Sequence, residues 1–410
     1  MRRPPLSLQI AVGMAAGLGL GLALGARAEP LGELGKLVIQ LIKAVATPLL
    51  FFAIVGAIVD AEVRGRQGLV MLGFALLDGA CALAIGLGLS NAFHPGRLLD
   101  LRGLAKPAAG AFTDKKIDLV KTLAGYVPMN LLQPFIDNLV LSVVLLALLF
   151  GFAVRALRAR DPARAAGVVD LVTALRAVTE IVLGWIVALT PLAVFGVVAK
   201  TVGEHGLAPL AGLAAYLGAG LVGMALQIVV VYQLMLVFVA RRPLRAFWAA
   251  AREPVVYALG ANSSLATLPL TLSALDRLGV SRSSSALGAC VGTNFNNDGI
   301  ILYEGMAVLF VAQAHGLDLS LGQQLVAAGS CLVAAMGVAG VPEAGLISLA
   351  LVLNTVGLPL ELLPLLLTVD WIMGRARSVT NALADMVLSI LIDSRARGPG
   401  PDVQAASRSG

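Results

Sequence analysis

Apolar residues occupy six long, nearly uninterrupted blocks in the first part of the chain, near residues 6–26, 37–60, 68–93, 127–157, 168–199 and 207–240. An α-helix needs about 20 such residues, at 1.5 Å each, to cross a hydrocarbon core of about 30 Å. The pattern therefore predicts six membrane-spanning helices. After about residue 250 it changes. The apolar runs shorten and are broken by Ser, Asn, Gly and Pro, in G-A-N-S-S-L-A-T-L-P at 260–269, G-T-N-F-N-N-D-G at 292–299 and A-M-G-V-A-G-V-P-E-A-G at 335–345. Such clusters do not continue a helix. Non-helical backbone at membrane depth is tolerated only where protein covers it or it lines a polar cavity.

The broken arrangement recurs. A broken apolar pair at about 252–280 precedes a polar-centred helix at 284–314, and a second pair at 322–358 precedes another helix at 361–392. Duplicated broken elements point to the midplane binding site of a secondary transporter. The residues from Asp393 onward are polar and contain Gly and Pro, which predicts a disordered tail.

The composition agrees with the pattern. The chain of 410 residues is 58% hydrophobic and only 13% charged, with a mean hydropathy of +0.90, values that place it among integral membrane proteins. Its net charge of +6 sits mainly in loops and speaks of topology and contact with anionic membrane lipid, with no nucleic-acid partner. Arg2/Arg3, Arg64/Arg66, the cluster Arg155, Arg158, Arg160 and Arg164, and Arg241, Arg242 and Arg245 fall in alternate connections. The positive-inside rule makes these cytoplasmic, with the N-terminus inside. The connection from His94 to Tyr126 disagrees, carrying Arg97, Arg102, Lys106, Lys115, Lys116 and Lys121 on the predicted outer side. Three internal connections and the N-terminus outweigh it. Arg2 and Arg3 before an apolar run ending in Ala-Arg-Ala imitate a signal peptide. The run from Leu6 to Gly25 is long enough to span, however, and is expected to be retained. Cys81, Cys290 and Cys331 lie in apolar segments without paired spacing, and read as small buried hydrophobes.

Candidate chemistry concentrates in V-D-W-I-M-G-R-A-R-S-V-T-N-A-L-A-D at 369–385. On a helix of 3.6 residues per turn, Asp370, Gly374, Arg377, Ser378, Asn381 and Asp385 all fall within about 100° of one another. One face of a greasy helix thus carries two carboxylates, a guanidinium, an amide and a hydroxyl. Ionisable groups at membrane depth are costly and mark substrate or ion paths. Arg375 falls off this face and reads as structural or interfacial. Lys43, Glu180 and Glu304 read as packing or interface charges.

Four ordered motifs resemble the glutamate transporter homologues, the dicarboxylate/amino acid:cation symporters. They are N-S-S-L-A-T-L-P at 262–269, N-N-D-G-I-I-L-Y-E at 296–304, G-V-A-G-V-P-E-A-G with V-L-N-T-V-G-L-P over 337–359, and the helix Asp370–Asp385. The six preceding spans fit as well, so the resemblance covers essentially the whole chain. It implies an all-α membrane protein of eight transmembrane helices and two re-entrant helical hairpins, built from inverted repeats into scaffold and transport domains. It also implies a homotrimer whose transport domain moves like an elevator.

The implied divisions are 1–66 (scaffold helices 1 and 2), 67–126 (transport-domain helix 3 and its loop), 127–200 (scaffold helices 4 and 5), 201–250 (transport-domain helix 6), 251–283 (hairpin 1), 284–316 (unwound helix 7), 317–359 (hairpin 2), 360–392 (helix 8) and 393–410 (cytoplasmic tail). The implied location is a bacterial inner membrane with both termini cytoplasmic.

Carried over by motif, Arg377 matches the arginine that pairs with a substrate's distal carboxylate, and Asn381 an asparagine near the substrate and an ion. The substrate site would also include Ser263, Ser264, Gly340, Val341, Gly345, Gly374 and Ser378. Asp385, with the backbone around Gly292 and Asn296, matches one sodium site, and Asp298 a carboxylate of another. The chemistry agrees with these roles. A guanidinium forks onto a carboxylate, helix N-termini at hairpin tips favour anions, and sodium, a hard cation, prefers oxygen ligands. Each role has a plainer alternative. Arg377 would serve as the counter-ion of Asp370, Asp298 and Asp385 as hydrogen-bonded structural carboxylates, and the two serines as helix caps.

The chain departs from the family in four places. Amino acid carriers have an aspartate where Gly374 stands, and it holds the substrate's ammonium. Without that counter-charge an ammonium would be desolvated for little return. The expected substrate is therefore a small carboxylate without an α-amino group, such as a C4-dicarboxylate, and Gly374→Asp is expected to move preference toward aspartate. Asn297 replaces the usual Met and Ile300 the usual Thr. A hydroxyl is missing at Val338 and Asn294 replaces a Thr, which bears on the sodium site beneath the second tip. The third helix has Ala75, Asp78 and Gly79 where Tyr and Thr/Ser ligands are expected. Asp78 would replace neutral ligands with a charge, carry a proton, or stand as an interfacial carboxylate. Sodium is the expected coupling ion, with a proton as the alternative.

Two other classes compete. His94, His205 and His315 fall at span ends or in loops, away from Ser263 and Ser264, and no metal-ligand spacing or nucleotide loop exists, which argues against a membrane enzyme. A dedicated anion channel would not need two gripping hairpins.

Overall fold

The computed structural model describes residues 6–60, 66–99, 127–137, 140–335 and 344–396, and among them every regular element is helical. The first half forms α1 (Leu6–Leu24), α2 (Gly32–Asp60), α3 (Arg66–Phe93), α4 (Val140–Arg160), α5 (Pro162–Val187), α6 (Thr190–His205) and α7 (Ala208–Leu226). Four described stretches are long and apolar enough to cross a membrane: Leu8–Gly56, Gln67–Phe93, Ser142–Arg160 and Pro209–Val239. The first contains two of the predicted spans, separated by the 3₁₀ turn Gly25–Leu31, where Gly25 has φ +56°. The predicted span at 168–199 is one bent pair, Pro162–Val187 and Thr190–Glu204, meeting at 41°. The break has a local cause. Pro191 lies in the first turn of α6, where its missing N–H is harmless, but it could not continue α5.

A glycine stripe sets how α1 packs. Gly13, Gly17 and Gly21 recur every fourth residue, and a Cβ on each would lie 2.5, 2.5 and 2.6 Å from the carbonyl oxygens of Pro191, Phe195 and Ala199. Both series ascend, so α1 and α6 run parallel with backbones in contact. Between membrane helices, small residues permit this close approach and its dispersion gain. The stripe is visible in the sequence as G-x-x-x-G-x-x-x-G. Because the obstructing atoms are backbone, Gly17→Val is expected to cost about 1–3 kcal/mol of overpacking, seen as a lower melting temperature in detergent with α-helical content retained.

The second half carries α8 (Leu244–Ala261), α9 (Ser264–Arg277), α10 (Asp298–Ala314), α11 (Leu321–Ala335), α12 (Ala344–Thr355) and α13 (Leu363–Ala396). α8 and α9 form a helical hairpin that turns at Asn262, a left-handed residue (φ +53°). α11 packs on α12, and residues 336–343 between them lie outside the described set. A packed pair of helices followed by a further helix thus occurs twice, α8–α9 before α10 and α11–α12 before α13.

The polar cluster at 292–297 breaks the first of these helices, as its sequence predicts. The backbone passes from a π-helix at Ala286–Val291 through a 3₁₀ turn at Gly292–Asn294 to a new start at Asp298. Further π-helical turns at Gln227–Tyr232 and Met235–Val239 continue α7. Such turns often mark functional positions. All of α10 is buried, and α13 packs on α7, α8, α9, α10 and α12. α13 is therefore the axis of this half, and its polar face turns inward.

Candidate functional site

Asp370, Gly374, Arg377, Ser378, Asn381 and Asp385 are all buried along α13. The wheel reading of one shared face holds, and that face meets protein. Arg377 forks onto Asp370, with Nη1–Oδ1 at 2.9 Å and Nη2–Oδ2 at 3.1 Å. Its guanidinium carbon lies 4.4 Å from the ring centroid of Tyr303, a cation–π contact that gains strength when desolvated. The plainer alternative, Arg377 as counter-ion of Asp370, is therefore realised in this structure. The fork also fixes the plane in which the guanidinium is presented.

Two glycines make room beside it. A Cβ on Gly345 would lie 2.5 Å from Arg377 Nη1, and one on Gly374 would lie 3.4 Å from Nη2. The same Gly374 Cβ would meet Asn262 Oδ1 at 2.8 Å. Ser378 Oγ donates to the Gly374 carbonyl at 2.9 Å and reaches Asn262 Oδ1 at 3.5 Å. The first hairpin tip thus meets α13 at Gly374 and Ser378. Ser263 Oγ accepts from Ala266 N–H at 3.1 Å as the N-cap of α9, which Ser264 begins, so the capping alternative describes that hydroxyl. Gly340 and Val341, like Val338 and Glu343, lie outside the described residues.

Glu304, read from sequence as a packing charge, is fully buried one residue past Tyr303 and accepts a hydrogen bond from Ser348 of α12. Asn262, Tyr303, Glu304 and Ser348 were missed as site residues. Tyr303 could have been found from its place one helical turn (i+4) beyond Gly299 of the N-N-D-G motif. Asn262 could have been found from the tolerance of Asn for a left-handed turn.

A second polar cluster surrounds the start of α10. Asp298 Oδ2 accepts from Tyr232 Oη at 2.8 Å and from Gln227 Nε2 at 3.2 Å, and the same amide reaches the Asp78 carbonyl at 3.3 Å. The π-helical turn at Gln227–Tyr232 sets both α7 donors on Asp298, a link that no local motif reveals. Asp78 is completely buried, next to Asp298 and Asn296. Both Asp78 carboxylate oxygens, Asp298 Oδ1, Asn296 Oδ1 and Gln227 Oε1 are buried without a hydrogen-bond partner. Five such oxygens, three of them on carboxyl groups, have the donor chemistry of a hard-cation site. Asp298 is thus partly a hydrogen-bonded structural carboxylate, with one oxygen left over.

Asp385 is buried with Oδ1 unpartnered, and Thr293 of the 3₁₀ turn sits beside it. Gly292 packs on Leu388 of the same helix. Among the described residues no three His, Cys, Asp or Glu side chains group as metal ligands, so a cation at either cluster would depend on amide and hydroxyl oxygens as well.

A family model described as the sodium:dicarboxylate symporter family matches residues 6–395. The chain is 31% identical over 402 residues to a C4-dicarboxylate transport protein of Laribacter hongkongensis, covering 94% of this chain and 88% of the relative. It is 32% identical to proteins of that name from Deinococcus radiodurans (94% and 88% covered) and Paraburkholderia phymatum (95% and 92% covered).

Proposed function

Because the chain belongs to the sodium:dicarboxylate symporter family, it is a multi-pass membrane transporter rather than an enzyme, and we propose that it carries C4-dicarboxylates at the buried Arg377 site. The observation that supports this reading best is the pairing of Arg377 with an uncharged Gly374. The guanidinium, paired with Asp370, packs against Gly345 and Gly374, and no carboxylate stands at position 374. One substrate carboxylate takes the side of Arg377 next to Gly345 and Gly374. The first hairpin, through Asn262, Ser263 and Ser264, and the second, through Gly340 and Val341, hold the rest, with Ser378 and Asn381 between them.

Sodium enters as a co-transported substrate. The oxygens of Asp78, Asn296, Asp298 and Gln227 supply one site, and Asp385 with Asn381 and the backbone around Gly292 and Asn296 another. A proton is the second reading for coupling, supported by the adjacent carboxylates of Asp78 and Asp298, which have no cationic partner among the described residues. The protein works as a homotrimer in a bacterial inner membrane, with both termini cytoplasmic. Its transport domain (67–126, 201–392) slides as an elevator past scaffold helices 1, 2, 4 and 5, and the two helical hairpins enter the membrane without crossing it.

Thermal-shift measurements on the purified protein, with acids and amino acids in sodium, potassium or low-pH buffer, test the reading. Succinate, fumarate or malate is expected to raise the melting temperature in sodium, and aspartate to do so much less. Equal stabilisation by aspartate would overturn the role given to Gly374. Uptake into proteoliposomes should saturate and stop when the ion gradient is collapsed; current without coupled uptake would indicate a channel. Asp78→Asn should weaken the sodium dependence of uptake at least about tenfold, the loss of one charge-assisted contact. Unchanged sodium dependence would remove Asp78 from the cation site.

A further inference from the structure

Asn297 is buried, and its amide has two buried partners. Nδ2 donates to the Ala335 carbonyl at 2.9 Å, and Oδ1 accepts from Asn381 Nδ2 at 3.3 Å. Asn381 Oδ1 in turn accepts from Gly299 N–H at 2.9 Å. A carbonyl can only accept and a backbone N–H can only donate, so both amides have a single consistent orientation. The chain of bonds joins three elements: the end of α11, the broken start of α10, and α13. Asn297 precedes α10 as its N-cap residue, with φ −105° and ψ 56°, yet makes no side-chain cap bond. Its amide serves the neighbouring elements instead of its own helix.

The consequence concerns Asn381. Its carboxamide has one N–H and one lone pair beyond the two bonds above; the Gly299 N–H holds its oxygen, and Asn297 holds its nitrogen and ties it to the end of α11. We infer that Asn297 is a positioning residue that locks the orientation of the Asn381 carboxamide to the position of the α11 end. An apolar residue at 297 would remove the bonds to the Ala335 carbonyl and the Asn381 N–H and free the two elements from each other. The inference rests on the reading of Asn381 as a substrate contact.

Native Cys331 offers a probe, because it is fully buried on α11 one turn before Ala335. In full-length protein with Cys81→Ala and Cys290→Ala, maleimide labelling of Cys331 and succinate uptake are measured together. Asn297→Leu, similar in volume, is expected to label about tenfold faster, since leaving a buried hydrogen-bonding group unsatisfied shifts an opening equilibrium by about that factor. The KM for succinate should rise by a similar factor while Vmax changes much less, because the competent fraction falls. Asn297→Gln, which keeps both the donor and the acceptor, should restore both quantities toward the background. If Asn297→Leu does not fold, Asn297→Ala is read in the same way. Labelling and KM at background values in either variant would overturn the inference, as would faster labelling with KM unchanged. Failure of the background protein to take up succinate would count against the substrate reading instead, and the labelling rates would still decide the tie between Asn297 and α11.

Discussion

Arg377→Gln is expected to abolish dicarboxylate uptake and also to lower the melting temperature of the substrate-free protein. The two losses have different origins. Arg377 and Asp370 are both buried and face each other through two short contacts. Removing one partner of such a pair leaves an uncompensated charge in the interior and costs about 3–5 kcal/mol. Loss of the guanidinium's bond to a bound carboxylate costs a further amount, about 2–5 kcal/mol for a desolvated charge pair, or a factor of tens to thousands in affinity.

The double variant Arg377→Gln/Asp370→Asn separates these effects. Two amides can hydrogen-bond to each other in place of the ion pair, so the melting temperature should return most of the way. Uptake should not return, because no cation remains for the substrate. Melting temperatures in detergent and uptake in proteoliposomes are the two measurements. Recovery of uptake in the double variant would show Arg377 to be only the counter-ion of Asp370, and the substrate site would have to lie elsewhere.

Sequence alone exposed the polar face of α13 because a helix repeats every 3.6 residues and all six polar-face positions lie on one element. The breaks at 262 and 292–297 were legible for a related reason, since Gly, Asn and Ser interrupt an apolar run locally. What stayed hidden depends on distant elements. Gln227 and Tyr232 are separated from Asp298 by more than sixty-five residues, and only the packing of α7 on the start of α10 makes them its donors. Asp78 drew notice by departing from the family pattern, but its complete burial follows from how α3 packs on α10. Glu304 looked like an ordinary interface charge because its partner, Ser348, belongs to another hairpin arm. The bend between α5 and α6 was missed although Pro191 was in view, because hydropathy alone runs straight through it.

Gly374→Asp carries the second large effect, and the geometry sharpens its direction. The new Cβ would lie 2.8 Å from Asn262 Oδ1 and 3.4 Å from Arg377 Nη2. A carboxylate one bond further out is therefore within reach of the guanidinium and competes with any substrate carboxylate for it. Succinate uptake should fall at least about tenfold, the equivalent of about 1.4 kcal/mol, because the site would carry a second internal anion beside Asp370. Aspartate should lose less, since its ammonium gains the counter-charge that the wild-type site lacks, and the aspartate-to-succinate ratio should rise mainly through the loss of succinate. Gly374→Asn controls for crowding, because it places nearly the same atoms against Asn262 without the charge. If Gly374→Asn reduces succinate uptake as strongly as Gly374→Asp and leaves the ratio unchanged, steric contact with Asn262 sets the preference. If only the aspartate variant shifts the ratio, the missing charge at position 374 is what selects dicarboxylates over amino acids.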